Sequence, residues 1–425
     1  MPQILPFRGV RYNQSKIADL DNVVTPPYDV ISPADRERFY ARHPQNVIRL
    51  ILPQEGRERD KYSEASACLR AWLDDDILVQ DTVPSMYVCE QEYELKDEVK
   101  RRIGLTCLVR LEDYDRRTIL PHERVLARPR EDRLNLIRAT EANFDSVFGL
   151  HAGSGVQQLL SDTAVGPPAV EAADSAGVKS RVWPISDTQI LTRLSAGLEN
   201  VSILIADGHH RYEAALAYRD EMRARTRVPN SDAPYEYLMM TLVSLEDEGL
   251  TVLPTHRMVR NLRKFELSDF TSRLSEYFEA SPTSAEALMA SVESAEPDAP
   301  TFGLYAGGGQ ASMLRLKSSV DTGKIPVAGS DALKRLDVTV LHSLILDSML
   351  GIDTRTPEGQ AMVSYTRDDA EALTLVDSGE YRMAFLMNPM RVEEARTVAS
   401  AGDVMPQKST FFYPKLLTGL VIRVI

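Results

Sequence analysis

The chain has little of what most catalytic signatures require. Of its 425 residues only seven are histidine, three cysteine and two tryptophan. Cys68, Cys89 and Cys107 form no CxxC pair, so free thiols in a reducing compartment are expected rather than a disulfide scaffold. No run approaches the roughly 18 apolar residues of a membrane-spanning helix. The opening MPQILPFRGVRYNQ lacks the apolar core of a signal peptide, and a cytoplasmic location is the resulting expectation. Basic charge is also short: the net charge of −13 disfavours a general nucleic-acid surface, although a focused anion pocket stays open. There is no GxSxG elbow, no HExxH, no strand-linked GxGxxG, no GxxxxGK loop and no kinase HRD or DFG set. Acyl transfer, zinc hydrolysis and hydride transfer lose support together.

What is present is an ordinary globular composition, 43% hydrophobic and 26% charged, in a length that predicts more than one domain. Ser32 and Pro33 read as the cap and first position of a helix. Residues 58–75 place Tyr62, Ala65, Leu69 and Trp72 on one helical face. NVIRLILP alternates as a strand does. SMYVCEQEYELKDEVKRRIGLTCLVRLEDY reads as two strands joined by a charged turn. Helix is expected from near Arg130, over 266–297 and over 330–350. Residues 151–182 read as a small variable region. Gly307, Gly308 and Gly309 read as a hairpin turn rather than a phosphate loop, because no Lys-Ser/Thr and no helix follow. Strands and helices interleave, so the fold class is mixed α/β, of the α+β kind.

The most informative stretch is VSILIADGHHRYEAALAYRDE. An apolar strand, buried on both faces by its pattern, runs into Asp207-Gly208-His209-His210-Arg211 and straight on into a helix. The first turn of a helix offers N–H groups without intrahelical partners and the positive end of a dipole, which together favour anions. Gly208 permits close approach or a positive φ. His209, His210 and Arg211 add donors, and a guanidinium can grip phosphate with two parallel bonds. Asp207 is free to hold a divalent cation, orient a histidine or accept a proton. The competing reading is a capped helix with two ordinary surface histidines; the strand–glycine–helix setting favours an anion site.

Four further clusters stand out. LPHERV supplies His122 and Glu123, a possible general base beside an imidazole. LPTHRMV supplies His256 and Arg257 at a strand end, as an extension of a phosphate surface or a solvated edge. MPQKSTFFYPK supplies Lys408, Ser409 and Thr410, donors suited to phosphate oxygens. TPPYDVI holds Tyr28 and Asp29 in a proline-stiffened loop. For each, a plain structural role competes with the functional one.

ADGHHRYEAALAYRDE resembles the DGHHR core of the ParB/sulfiredoxin-like superfamily, and most of all its free-serine kinases. Those enzymes carry Pro-His-Glu before a helix, DGHHR after a strand, and later a Gly-Asp/Glu stretch leading to Pro-Lys-Thr/Ser-Thr. Here LPHERV, ADGHHR and AGDVMPQKST follow in that order. The chain as a whole, through TPPYDVISP, NVIRL and MPQKSTFFYPK, also resembles the domain-of-unknown-function family one-zero-one-five. The resemblance implies a nucleotide-dependent kinase acting on the hydroxyl of a small amino acid, free L-serine above all, with Mg²⁺ and ATP or ADP. It implies Glu123 as catalytic base and Asp207 as a second essential acid. Gly208, His209, His210, Arg211, Lys408, Ser409 and Thr410 would be nucleotide-phosphate contacts, with His122, His256 and Arg257 as additional candidates; no metal ligands are assigned. It implies a ParB-like core at 111–265, between an N-terminal α/β region at 1–110 and a C-terminal one at 266–425. The alternative is a ParB-like nucleotide-binding or nucleotide-hydrolysing regulator without kinase activity.

Overall fold

A computed structural model describes residues 2–153, 155–226, 231–262, 265–296 and 299–425. The fold is mixed α/β. Contacts divide the chain into two compact units: unit 1 comprises Met1–Pro121, Val125–Thr251 and Phe412–Ile425, and unit 2 comprises His122–Arg124 and Val252–Phe411. The contacts place Thr251 and Val252 on either side of the division.

Unit 1 is built on a nine-stranded sheet. Its strands are β1 (Ile4–Leu5), β2 (Met86–Leu95), β3 (Glu98–Arg110), β4 (Ile119–Leu120), β5 (Val147–His151), β6 (Val170–Ala173), β7 (Lys179–Ile185), β8 (Ile203–Asp207) and β9 (Tyr237–Ser244). The order is β4-β8-β5-β9-β3-β2-β7-β6, with β1 on β3. The β4–β8 and β5–β9 pairs are parallel and the rest antiparallel. The β2–β3 hairpin closes through Lys96 and Asp97, both with φ above +50°, the left-handed pair that a tight hairpin turn demands. The longest helices are α1 (Lys61–Asp74), α2 (Ala127–Thr140) and α3 (His209–Arg225). β8 is flanked on both sides and its first four residues are buried, which is why its sequence is apolar throughout.

Unit 2 carries a six-stranded antiparallel sheet of β10 (His256–Arg260), β11 (Phe278–Thr283), β12 (Thr301–Tyr305), β13 (Ala311–Leu316), β14 (Val363–Thr366) and β15 (Tyr381–Met387). Their order is β11-β13-β12-β15-β10-β14. Gly307, Gly308 and Gly309 all have positive φ and close the β12–β13 hairpin, as expected.

Three expectations need correction. NVIRLILP contains a short helix, Ile48–Ile51, rather than a strand. Asn46 Oδ1 accepts the Ile48 N–H at 2.9 Å and starts the turn. Ile48, Leu50 and Ile51 are fully buried and Arg49 is not, an alternation that over four residues passes for a strand. Residues 151–182, read from sequence as a small variable region, hold the helix Val156–Thr163, β6 and part of β7. Residues 266–297 are helical only at Leu267–Tyr277 and Leu288–Glu293, with β11 between them; Pro297 lies outside the described residues. The segment 330–350 is helical, but in three pieces: Asp331–Lys334, Asp337–Val340 and a π-helix over Leu341–Met349. All three cysteines are free. Among the described residues, no helix is long and apolar enough to cross a membrane.

Candidate functional site

In unit 1 the chain leaves β8 at Asp207, turns at Gly208 with φ +93°, and enters α3 at His209. A Cβ on Gly208 would stand 2.9 Å from Arg211 Nε and Nη2. Glycine is therefore needed twice, for the left-handed backbone and for the guanidinium lying over it. Gly208→Ala is expected to cost about 1–3 kcal/mol from backbone conformation alone, with a further penalty if Arg211 is displaced. Urea denaturation with a near-UV spectrum of the variant checks this.

Arg211 is almost wholly buried. Its Nη2 donates to Asp207 Oδ2 at 2.8 Å and its Nη1 to the Ser146 carbonyl at 2.6 Å. Asp145 Oδ2 lies 3.4 Å from Nη1. Burial opposes the charge on Arg211, but Asp145 and Asp207 overcome it and hold the proton firmly. Burial raises the pKa of Asp145 although Arg211 pulls it down. The fork that the sequence offers to phosphate is thus occupied by acids of the same unit, and only Nε, itself buried, has no hydrogen-bond partner.

The other oxygen of Asp207 is ion-paired with Lys415 Nζ. That lysine is fixed in turn, its carbonyl accepting Gln91 Nε2 at 2.9 Å. Arg102, fully buried, caps the Tyr413 and Pro414 carbonyls and lies 4.7 Å from the Phe148 ring centroid. Asp207 therefore sits between two cations. His210 Nε2 accepts the Leu126 N–H at 3.0 Å, so a neutral His210 carries its proton on Nδ1. His209 is buried. The proline-stiffened loop comes to the same place. Arg133 stacks 4.0 Å from the Tyr28 ring centroid, and Tyr28 and Asp29 both act electrostatically on Arg211.

In unit 2 the remaining candidates converge. Glu123 pairs with Met405 in an isolated parallel bridge, and Met405 N–H donates to the His122 carbonyl at 2.8 Å. His122 Nε2 lies 2.8 Å from Thr410 Oγ1. Arg257 Nη2 donates to the Lys408 carbonyl at 2.9 Å, and Glu123 acts electrostatically on Arg257. Ser409 Oγ donates to the Pro406 carbonyl at 2.6 Å. Lys408, at φ +57°, is exposed. Segments LPHERV, LPTHRMV and MPQKST thus form one cluster in which Lys408 presents its charge outward while the two hydroxyls brace the loop.

His256 Nδ1 accepts the buried Met387 N–H at 3.0 Å, and burial pushes its pKa down to about 4. His342 is pushed down to about 3 by burial and by Arg257. Both are neutral when folded and bind a proton near pH 6.5 when unfolded. Stability is therefore full above that pH and falls as pH drops from 6.5 toward 4, because the unfolded chain takes up protons first. Urea midpoints measured between pH 7.5 and 4.5 are expected to fall over this window by more than in the His256→Gln variant.

Sequence reasoning missed Lys415 and Asp145. Lys415 left a signal, a single charge inside the apolar run YPKLLTGLVI, where a lysine is costly unless paired. Asp145 left none that separates it from the chain's surface acids. Among the described residues no group of three or more His, Cys, Asp or Glu is placed to hold a metal ion. Mg²⁺ therefore fits no cage of side chains here, and Asp207 is already spanned by Arg211 and Lys415.

A family model described as "Protein of unknown function (DUF1015)" matches residues 4–339. No curated protein matches the chain. Solved structures similar to it include a conserved hypothetical protein from Pyrococcus furiosus, at 13% identity and TM-score 0.35 over 73% of this chain and 90% of that one. A free serine kinase in complex with AMP is similar at 12% identity and TM-score 0.37, over 73% of this chain and 86% of that one. SbnI with a C-terminal truncation, from Staphylococcus aureus, is similar at 12% identity and TM-score 0.36, over 74% of this chain and 85% of that one.

Proposed function

This chain belongs to the DUF1015 family, whose description assigns no activity, and from its residues we propose a nucleotide-dependent kinase that phosphorylates the hydroxyl of a small amino acid, free L-serine first. The observation that carries the reading is the DGHHR turn. A strand ends in a fixed carboxylate, a left-handed glycine follows, and a helix of 17 residues opens at once. This arrangement directs backbone N–H groups and a positive dipole end at an anion. The ordered motifs Pro-His-Glu, DGHHR and Pro-Lys-Ser-Thr support the same reading.

Phosphoryl transfer asks little covalent work of a protein; it asks for placement and charge balance. In the proposal the backbone at Gly208–His210 and the two imidazoles receive nucleotide phosphate. Asp207 and Arg211 act together, one fixing the other, so the turn keeps its shape when a polyanion arrives. Glu123, half-buried and held by the Met405 bridge, takes the proton of the attacking hydroxyl.

The test is incubation of the protein with ATP or ADP, magnesium chloride and a panel of hydroxy amino acids, read by mass spectrometry. O-phosphoserine that accumulates with time and enzyme concentration is the expected result. Nucleotide binding by calorimetry without any phosphorylated product would favour a regulator instead; neither binding nor product would remove the proposal.

A further inference from the structure

Unit 2 buries a second polar cluster that the proposed reaction does not use. Arg257 is 2% exposed and makes no salt bridge among the described residues. Its Nη1 donates to the Thr255 carbonyl and its Nη2 to that of Lys408, while its Nε has no hydrogen-bond partner. Side chains alternate along a strand, so Arg257 shares the face of β10 with Val259. Val259 packs in one core with Val340, Leu341, Leu344 and Ile345 of the helical segment 337–349. Across the sheet Arg257 stands opposite Tyr365 and Phe385, and its guanidinium is 5.7 Å from the Tyr365 ring centroid.

The covering helix brings two further unpartnered polar atoms, Thr339 Oγ1 and His342 Nε2, both on residues more than nine-tenths buried. Three residues apart, they lie on one helical face. His342 is close enough to Arg257 for the guanidinium to oppose its protonation. Its Nδ1 is 3.0 Å from Thr354 Oγ1; when that hydroxyl donates, Nε2 carries the ring proton. The wide turn of a π-helix, common at functional positions, begins one residue before His342. A buried cation without a salt-bridge partner, on which Glu123 acts only through space, is costly, and a bound anion offsets that cost.

We propose that Arg257 Nε, His342 Nε2 and Thr339 Oγ1 form a binding site for a small oxyanion. Arg257 also holds the Lys408 carbonyl, so the bound anion steadies the Lys408–Thr410 stretch through the same side chain. The chemistry is shared by inorganic phosphate, a carboxylate and a nucleotide phosphate, and the test separates them. Full-length protein is titrated calorimetrically with phosphate, with acetate and with ADP, as wild type and as Thr339→Val, His342→Leu and Thr339→Ser. At least one titrant should lose affinity about tenfold in both Thr339→Val and His342→Leu, the scale of one lost hydrogen bond, and recover it in Thr339→Ser. The titrant that does so names the source. Absence of binding by all three, or equal affinity in wild type and in Thr339→Val and His342→Leu variants with unchanged circular dichroism, overturns the proposal.

Discussion

Glu123→Gln is expected to lower the rate of serine phosphorylation by a factor of about 10²–10⁴, the usual worth of a well-placed general base. Nucleotide affinity should stay within about twofold of wild type, a free-energy change too small to indicate a lost contact. The substitution keeps size and hydrogen-bonding capacity while removing proton affinity. It should leave the Glu123–Met405 bridge intact, because that pairing is made by the backbone. Single-turnover phosphorylation and calorimetry on the same preparation check both halves. Undiminished turnover would remove Glu123 as base, and lost nucleotide affinity with full turnover at saturation would make it a binding residue.

The second large effect is on stability. Arg211→Ala removes the cation between Asp207 and Asp145. Breaking a buried pair by deleting one partner typically costs roughly 3–5 kcal/mol, because the surviving charge stays buried. Asp207 keeps Lys415; Asp145 loses its nearest cation. The pKa of Asp145 is already raised by burial and should rise further in the variant. A carboxylate whose folded pKa is raised destabilises the fold once it ionises, and this is relieved as pH falls. The deficit of Arg211→Ala should thus be greatest at neutral pH and shrink toward the carboxylate range. Asp145→Asn in the same background should restore part of it, read as the coupling energy of a double-mutant cycle by urea denaturation. A loss below about 1 kcal/mol, ordinary for an exposed pair, would free Arg211 for direct phosphate contact.

Much of this was legible in the sequence. The β8–α3 turn was readable because an apolar run, a glycine and a helical period abut without a loop between them. The β12–β13 hairpin was readable because three consecutive glycines between two apolar runs disfavour strand or helix and admit the positive φ that a turn needs. The Ile48–Ile51 helix was hidden because its four residues make barely one turn, too short for the period that distinguishes helix from strand to show. The π-helix was hidden for a related reason: its extra residue per turn shifts the buried face without changing composition. At the site, residue types were readable and partners were not. Nothing local in DGHHR indicates that its arginine is already engaged by Asp145. Nor does it show that its aspartate meets a lysine 208 positions further on.

That last separation bears on how the polypeptide emerges from the ribosome. Residues 412–425 complete unit 1, yet all of 252–411 is translated before them. Until Lys415 leaves the exit tunnel, Asp207 lacks that lysine, and the Arg102 guanidinium lacks the Tyr413 and Pro414 carbonyls that receive it. Domains commonly fold one after another as they are synthesised; here unit 1 begins before unit 2 and is completed only after it, and the nascent DGHHR turn must wait for residues 412–425.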